Sequence, residues 1–339
     1  MKHIIKLALT AAVLSTAATT GTPLAATELK LSVETPPGHI RNRSAERWAE
    51  LVAEKSNGDL TIAVFPAAQL YKAADAARAL ASGALDMSIQ ANPTLSRFEP
   101  NLSVTTMPSF FGTTAEEVKT ILDGPLGQEL WAMLAKKGIY VPKGGPFLFA
   151  PDNTAYTADK PIKSYADLRG VKLAVPPSPS VVVKLKEMGA APQATPRSEI
   201  VIQLSQGQID GLGSVTDLTI SGGKLWEAGI KHAFIDHSGW GFFIPLVSQR
   251  TMNKLSDAEK AIIEDAWLET VDWAAAEAAR ELLEARALNE SHGITYVVAS
   301  DEQITEIKTR LVALQADMAK GSGMDVDFVN RAAAALNAQ

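Results

Sequence analysis

The sequence has 339 residues, of which 46% are hydrophobic, and this length is enough for two ordinary domains that each bury a core. Its 32 basic and 38 acidic residues give a net charge of −6. This charge argues against a nucleic-acid partner, because proteins that bind nucleic acids carry a basic patch. Cysteine is absent, and this excludes a disulfide framework, a catalytic thiolate and a cysteine-ligated metal site.

The N-terminus has the three-part pattern of a secretory signal peptide. Lys2 and Lys6 precede an apolar run over residues 7–14, and small residues then lead to Ala26. This apolar run is too short to span a bilayer as a helix. The pattern therefore predicts that residues 1–26 are a signal peptide, cleaved near Ala26, and that the protein is exported.

Strand and helix patterns alternate after this segment. Residues 29–33 alternate at period two and predict a strand, and residues 61–65 and 85–89 predict two more. Helices are predicted over residues 44–55 and 73–81, each followed by a glycine that favours a stop. Strand–helix–strand units of this spacing favour an α/β lobe with largely parallel strand pairing.

A second set of elements begins beyond Pro151. A strand is predicted over residues 171–175, and helices are predicted over residues 181–188 and 200–206. The sequence therefore predicts a second α/β lobe.

One long helix is predicted near the C-terminal third of the chain. Ser256 and Glu259 form a capping box, and from Asp257 to about Ser291 there is neither glycine nor proline. A helix of this length is roughly 50 Å long, which exceeds the diameter of one lobe, so we expect it to run along both lobes. A coiled coil is the alternative, but the apolar positions do not keep a strict heptad.

Signatures of catalysis are not found in the sequence. None of the five histidines stands in an HExxH pair or at metal-ligand spacing, and there is neither a GxSxG nor a phosphate-loop motif. The segment 211–213 (GLG) begins like a dinucleotide loop but lacks the third glycine. We therefore predict a protein that is not an enzyme, with no cofactor and no metal site. A periplasmic hydrolase is a minor alternative, because residues that only the fold brings together leave no local trace.

Six short segments occur in a fixed order between about residue 28 and residue 290. They are SNGDLT (56–61) with FPAAQL (65–70), LASGALDM (80–87), MPSFF (107–111), ADLRGVKLAVP (166–176), MGAAP (188–192) with SE (198–199), and LSQGQIDG (204–211). Together they resemble the DctP-like solute-binding proteins of tripartite ATP-independent periplasmic (TRAP) transporters.

This resemblance implies a two-lobe periplasmic binding protein with a hinge, in which the lobes close on a small molecule and the closed form is delivered to membrane permease subunits. It also implies a periplasmic, monomeric protein that does not bind nucleic acid. Lobe I would comprise residues 27–151 plus about 240–279, and lobe II residues 152–239 plus about 280–339. A binding protein of an ABC importer is a less favoured alternative, because the unbroken helix after Ser256 ties both lobes together.

Three positions depart from the family's pattern. Ala174 stands where the family has an arginine that binds the ligand carboxylate through two hydrogen bonds. Thr154 aligns with a second arginine, and Ser214 aligns with an asparagine. A small carboxylate ligand would therefore lose its usual partners.

Two explanations of these departures stay open. The carboxylate-binding arginine has moved, with Arg197 as the first candidate and Arg41 as the second, or the ligand is an amine, alcohol or polyol bound by acidic and aromatic groups. The family's habits favour a small organic acid. The predicted ligand-binding residues are Glu34, Gln90, Thr154, Arg197, Ser214, Asp217, Trp240 and Phe243, with Asn92 and Phe242 as neighbours.

Overall fold

A computed structural model describes residues 27–176, 178–196 and 199–338. The predicted signal peptide lies outside the described residues, and so does Arg197. The strands are β1 Thr27–Ser32, β2 Leu60–Phe65, β3 Met87–Ala91, β4 Ile139–Tyr140, β5 Phe147–Asp152, β6 Ala155–Thr157, β7 Lys172–Val175, β8 Ala191–Ala194, β9 Gly211–Leu212, β10 His232–Ile235, β11 Gly239–Ser248 and β12 Thr295–Val298.

Helices connect and cover these strands. They are α1 Ile40–Lys55, α2 Ala73–Ser82, α3 Asn92–Leu95, α4 Ala115–Asp123, α5 Pro125–Lys136, α6 Pro179–Glu187, α7 Ile200–Ser205, α8 Asp217–Gly222, α9 Gln249–Met252, α10 Asp257–Ser291, α11 Asp301–Val312, α12 Gln315–Gly321 and α13 Val326–Asn337. Short 3-10 helices lie at Pro100–Thr106, Pro108–Phe110 and Tyr165–Leu168.

Lobe I is built on a mixed sheet in the order β2-β1-β3-β11-β4, with β5 also paired to β11. The pairs β1–β2 and β1–β3 are parallel, as the strand–helix–strand pattern predicts. Alternate residues of β1, Leu29 and Leu31, are buried on the face that α1 and α10 cover. Trp48 of α1 and Trp267 of α10 pack there with ring centroids 4.8 Å apart.

Lobe II is built on a second sheet in the order β12-β10-β6-β9-β7-β8. Its parallel pairs, such as β7–β8 and β7–β9, lie between two apolar clusters, one centred on Leu173 and Leu185 and the other on Leu212 and Ile235. The predicted α/β fold with two lobes is therefore confirmed.

Two short chain crossings join the sheets. The first runs through Asn153 and Thr154, between the end of β5 and the start of β6. The second runs over residues 236–238, between β10 and β11. The crossings contact each other, since the amide N–H of Ser238 donates to the carbonyl oxygen of Asp152 over 2.8 Å. Because so few residues separate the sheets, we identify these crossings as the hinge.

The long helix α10 follows the prediction residue for residue. Its capping box is formed by Ser256 and Glu259, whose carboxylate accepts from the Ser256 amide over 2.8 Å. Trp267 fixes its first half to lobe I by donating to the carbonyl oxygen of Gly145 over 2.9 Å. Asn289 fixes its last turn to lobe II by donating to the carbonyl oxygen of Asp217 over 3.2 Å. One element is thus attached to both lobes.

The C-terminal helices differ from the predicted division of the chain. Residues after about 280 were assigned to lobe II, yet Phe328 and Val329 of α13 are buried in the lobe I cluster with Leu102 and Leu122. The chain therefore crosses back, and α13 completes the apolar face of the first sheet. The other predicted lobe boundaries stay predictions. Within the part of the chain that is described, no helix is both long and apolar enough to cross a bilayer.

We expect the tryptophan pair to be a main source of stability. Trp267→Ala removes a fully buried ring and its hydrogen bond, and should lower the free energy of unfolding by about 3–5 kcal/mol. Urea unfolding followed by circular dichroism measures this change. The neighbouring Leu268 is 39% exposed, so Leu268→Ala should cost about 1 kcal/mol or less. Equal losses of unfolding free energy in the two variants would contradict the view that the tryptophan pair is a main source of stability.

Candidate ligand-binding cleft

The carboxyl ends of β1 and β3 place polar side chains at one edge of the lobe I sheet. Glu34 follows β1, and Gln90 lies near the end of β3. Ligands of open α/β sheets bind at this edge, outside the carboxyl ends of the strands. Both residues were predicted from sequence, and the two strands are direct neighbours in the sheet.

Arg41 of α1 lies between these strand ends. Its guanidinium forms a 2.6 Å ion pair with Glu34, and it stacks 4.8 Å from the ring centroid of Phe243. The Arg41 side chain is 6% exposed and that of Glu34 is 24% exposed, so the pair is largely removed from water. The charge of Arg41, the weaker sequence candidate for a carboxylate-binding group, is therefore balanced within the protein.

Polar atoms beside this pair are not satisfied by the protein. Oε2 of Glu34, Nε of Arg41 and Oε1 of Gln90 are buried and have no hydrogen-bond partner among the described residues. A buried polar atom without a partner is costly, and in a binding protein such atoms are candidates for contacts to ligand. The group offers two acceptors and one donor, which suits hydroxyl groups.

Aromatic rings form the apolar part of the same wall. Phe243 lies 4.7 Å from Phe149 and 5.3 Å from Phe147, measured between ring centroids. The ring of His39, which precedes α1, stacks on Phe149 at 6.1 Å. Phe149 and His39 were missed in the sequence. The only signal for Phe149 was its position in an apolar strand, which does not distinguish a cleft residue from a core residue.

Thr154 and Ser214 of lobe II bind carboxylates of the protein itself. Both the amide N–H and the hydroxyl of Thr154 donate to Asp236, over 2.9 and 2.5 Å. The Ser214 hydroxyl donates to Asp152 over 3.2 Å. Thr154 is 0% and Ser214 3% exposed, so two of the three positions at which the sequence predicts a departure from the family's pattern complete an internal network.

The two aspartates of this network have shifted acid–base properties. Burial raises the pKa of the Asp236 carboxyl to about 6, against the hydrogen bonds from Thr154 and Tyr165 and the charge of Lys184. Burial also raises the pKa of Asp152 to about 6, against Lys184 and the Ser214 hydroxyl. Both carboxyls therefore titrate close to neutral pH.

Asp217 is fully engaged by other side chains of lobe II. Its carboxylate accepts from the hydroxyls of Tyr296, over 2.6 Å, and Tyr156, over 3.0 Å. Asn289 of α10 also approaches it over 3.4 Å, and Asp217 is 5% exposed. The network joins α8, β6, β12 and α10, so Asp217 attaches the long helix to its lobe.

Trp240 and Phe243 lie on opposite faces of the lobe I sheet, although both belong to β11. Trp240 packs in the cluster that contains Leu102, whereas Phe243 packs in the cluster that contains Trp267. The Trp240 indole donates to the carbonyl oxygen of Thr113 over 3.1 Å. It is thus directed away from Glu34 and Phe243. Phe242 packs on the same face as Trp240, and Asn92 accepts its amide N–H over 3.0 Å.

The seven predicted residues that the structure describes therefore separate into groups, and the eighth, Arg197, lies outside the described residues. Glu34, Gln90 and Phe243 lie around Arg41. Thr154 and Ser214 lie at the hinge, while Asp217 and Trp240 pack elsewhere. The site as a whole stays a prediction. Within the described ranges, no group of three or more histidine and acidic side chains is arranged to hold a metal ion.

Comparison with known proteins gives the family. Residues 31–321 match the family model of the bacterial extracellular solute-binding proteins, family 7 (DctP). The chain belongs to this family. The six-segment resemblance in the sequence is thereby confirmed, and with it the class of extracytoplasmic solute-binding proteins.

Three proteins illustrate how far the likeness to other proteins extends. The sialic acid-binding periplasmic protein SiaP of Vibrio cholerae is 26% identical over 272 residues, which is 78% of this chain and 80% of that protein. An uncharacterized protein of Sinorhizobium fredii is 28% identical over 247 residues, 71% of this chain but only 44% of that protein's length. A TRAP periplasmic solute-binding protein from Ralstonia eutropha H16, with bound (S)-2-acetolactate, superposes with a TM-score of 0.81 at 20% identity, covering 92% of this chain and 99% of that one.

We expect Asp217 to act in structure rather than in ligand contact. Asp217→Ala leaves two tyrosine hydroxyls and one amide without their shared acceptor, and should lower the free energy of unfolding by roughly 2–3 kcal/mol. Asp217→Asn keeps an acceptor oxygen and should lose less. Chemical denaturation measures both. If Asp217→Ala were as stable as the parent, the anchoring role would be wrong.

Proposed function

We propose that the protein captures a small organic acid in the periplasm and delivers it to the membrane subunits of a TRAP transporter. The observation that supports this most directly is the cleft wall of a family 7 binding protein, with Arg41, Glu34 and Gln90 at the carboxyl ends of parallel strands. The relatives named above bind, by their own names, sialic acid and (S)-2-acetolactate. The protein acts by binding and release, without chemical change of its ligand.

The charge of the cleft wall limits how an acid is bound. Arg41 and Glu34 neutralise each other, so this pair offers hydrogen bonds and no net positive charge. Ala174 is 1% exposed and packs in the lobe II core, so the family's arginine position supplies no cation. We therefore propose that Arg197 provides the charge that binds the carboxylate, a role drawn from its place in the sequence. Ligand hydroxyls would pair with Glu34 and Gln90.

A second candidate ligand has support from the same residues. Glu34 Oε2 and Gln90 Oε1 are acceptors, and the Asp152 carboxylate lies at the hinge, so this surface also suits an amine or a polyol without a carboxylate. Phe149 and Phe243 would contact the apolar part of such a ligand. The two candidates differ in whether a carboxylate is needed for binding.

A thermal-shift screen of residues 27–339 against small acids, amines and polyols separates the candidates. A ligand present at 100 times its dissociation constant stabilises by about 2.7 kcal/mol, which shifts the melting midpoint visibly. We expect hydroxylated acids to stabilise the protein and their amides or alcohols to fail. Stabilisation by amines or polyols alone would overturn the proposed acid ligand. Recovery of the bound compound in altered form would overturn the non-enzymatic role.

Variants then test the arginine assignment with an acid found in the screen. Arg197→Ala should weaken its binding by roughly 10- to 100-fold, because a charge-assisted pair of about 1.5–3 kcal/mol is lost. Glu34→Gln should weaken binding less, because one acceptor oxygen is kept. Arg78→Ala is the matched control, since Arg78 lies on the surface of α2 with its side chain 72% exposed. Isothermal titration calorimetry gives the dissociation constants, and unchanged values for both site variants would mean that the ligand binds elsewhere.

A further inference from the structure

A buried lysine lies at the junction of the two hinge crossings. Lys184 belongs to α6 of lobe II and is 0% exposed. Its ammonium donates to the carbonyl oxygen of Ser238 over 2.6 Å and lies 5.1 Å from the ring centroid of Phe111. A lysine ammonium is strongly hydrated, so full burial is expensive unless nearby negative charge compensates for it. The position of Lys184 therefore calls for a specific role.

The compensating charges come from the crossings themselves. Asp152 ends β5 at the first crossing, and Asp236 begins the second crossing. Lys184 interacts electrostatically with both carboxylates. Each carboxylate is fixed to lobe II by hydroxyl donors, Ser214 for Asp152 and Thr154 with Tyr165 for Asp236. Lys184 thus contacts the second crossing directly through Ser238, and it acts on the two carboxylates by electrostatic attraction rather than by a direct ion pair.

The backbone at the second crossing is adapted to this arrangement. A Cβ atom at Gly239 would come within 3.1 Å of the carbonyl oxygen of Thr105 and 3.6 Å of the Lys184 ammonium. His237 has a φ of +46°, in the left-handed region that few non-glycine residues adopt. Its amide N–H approaches Asn153 of the first crossing over 3.4 Å. The crossing is therefore held in one conformation by close contacts on several sides.

We propose that Lys184 is a positioning residue that sets the angle between the lobes through the two hinge carboxylates, and that acidification releases this constraint. The proposal rests on lobe closure, the motion on which the proposed function depends, but not on the identity of the ligand. When Asp152 and Asp236 bind protons, the electrostatic attraction that joins α6 to both crossings is lost, and the single hydrogen bond to Ser238 is left.

Protonation of the two carboxyls changes the stability of the fold in the direction opposite to acid unfolding. The carboxyl pKa values of about 6 lie above the ordinary value of 3.8, so between about pH 6 and pH 4 the folded chain binds protons that the unfolded chain does not. Through these two groups the fold is stabilised as the pH falls in this window. The pKa of Lys184 is lowered by burial to about 8, so the cost of its charge is present throughout the window. A hinge that loosens on acidification would therefore do so while the protein stays folded.

Other titratable groups lie near Lys184 and the two carboxylates, and their effects on the pH response must be distinguished from that of the carboxylates. Burial and the charge of Arg286 lower the pKa of His237, whose imidazole is a further group that takes up a proton on acidification. Lys308 donates to the carbonyl oxygen of Phe111 over 3.0 Å, and Tyr165 has a raised pKa because of burial and Asp236. Tyr165 therefore keeps its proton at neutral and acidic pH, and burial lowers the pKa of Lys308. His237 is therefore the group that needs its own control.

Because the sequence contains no cysteine, spin labels for a distance measurement between the lobes can be attached at introduced cysteines without removing native ones. Asp75→Cys on α2 of lobe I and Ser205→Cys on α7 of lobe II place spin labels at exposed positions. Double electron–electron resonance on the ligand-free mature protein gives the distribution of distances at about pH 7.5 and about pH 5. We expect a narrow distribution at the higher pH and a broader one at the lower pH, with circular dichroism unchanged.

Substitutions on the same helix test whether Lys184 causes the change. Lys184→Met should give the broad distribution at both pH values, because the methionine chain fills the space without the charge. Lys186→Met removes an exposed lysine of α6 and should respond to pH as the parent does. His237→Asn should also respond as the parent does, since asparagine tolerates a positive φ.

Two outcomes would overturn the proposal. One is a distance distribution in the parent that does not change with pH, and the other is a response in Lys184→Met equal to that of the parent. If Lys184→Met does not fold, Asp152→Asn and Asp236→Asn carry the same test, because each removes one partner charge and should broaden the distribution at about pH 7.5. The proposal would also be overturned if both asparagine variants broadened on acidification as much as the parent does. No ligand is used, so a failed ligand screen leaves this result unaffected.

Discussion

The attachment of one helix to both lobes is the constraint on which the rest of the structure depends. Trp267 packs the first half of α10 on lobe I, and Asn289 with Asp217 fixes its last turn to lobe II. A helix of roughly 50 Å does not stretch, so the lobes can rotate about the crossings but cannot separate. Any change in the angle between the lobes is therefore restricted to rotation about the few residues of the hinge.

Those few residues carry an unusual concentration of buried charge. Replacing Lys184, Asp152 and Asp236 together by apolar residues of similar size would cost little stability, whereas removing one of them alone would leave a buried charge without compensation. These groups contribute directional hydrogen bonds: the hydroxyls of Thr154 and Ser214 donate to the carboxylates and so orient them. A polar hinge also retains a conformational preference that a purely apolar contact would lack, since apolar packing is not directional.

Elements with a strong local signal could be predicted from the sequence, and contacts between distant elements could not. The capping box at Ser256 and the absence of glycine or proline gave α10 its observed limits, because helix ends are determined locally. The return of α13 to lobe I leaves no local signal, since an amphipathic helix is equally suited to either sheet. The cleft shows the same division. Glu34 and Gln90 could be placed by strand position alone, whereas the separation of Trp240 from Phe243 depends on which face of β11 each occupies.

Two of the positions at which the sequence predicts a departure from the family's pattern, Thr154 and Ser214, lie at the hinge. The sequence resemblance leads us to expect an arginine at the position of Thr154, whereas the Thr154 hydroxyl and amide donate to the Asp236 carboxylate in this structure. The sequence resemblance places Thr154 and Ser214 at positions of ligand contact, but in this structure both are bound to the hinge carboxylates, so a substitution at either position would disturb the hinge network directly.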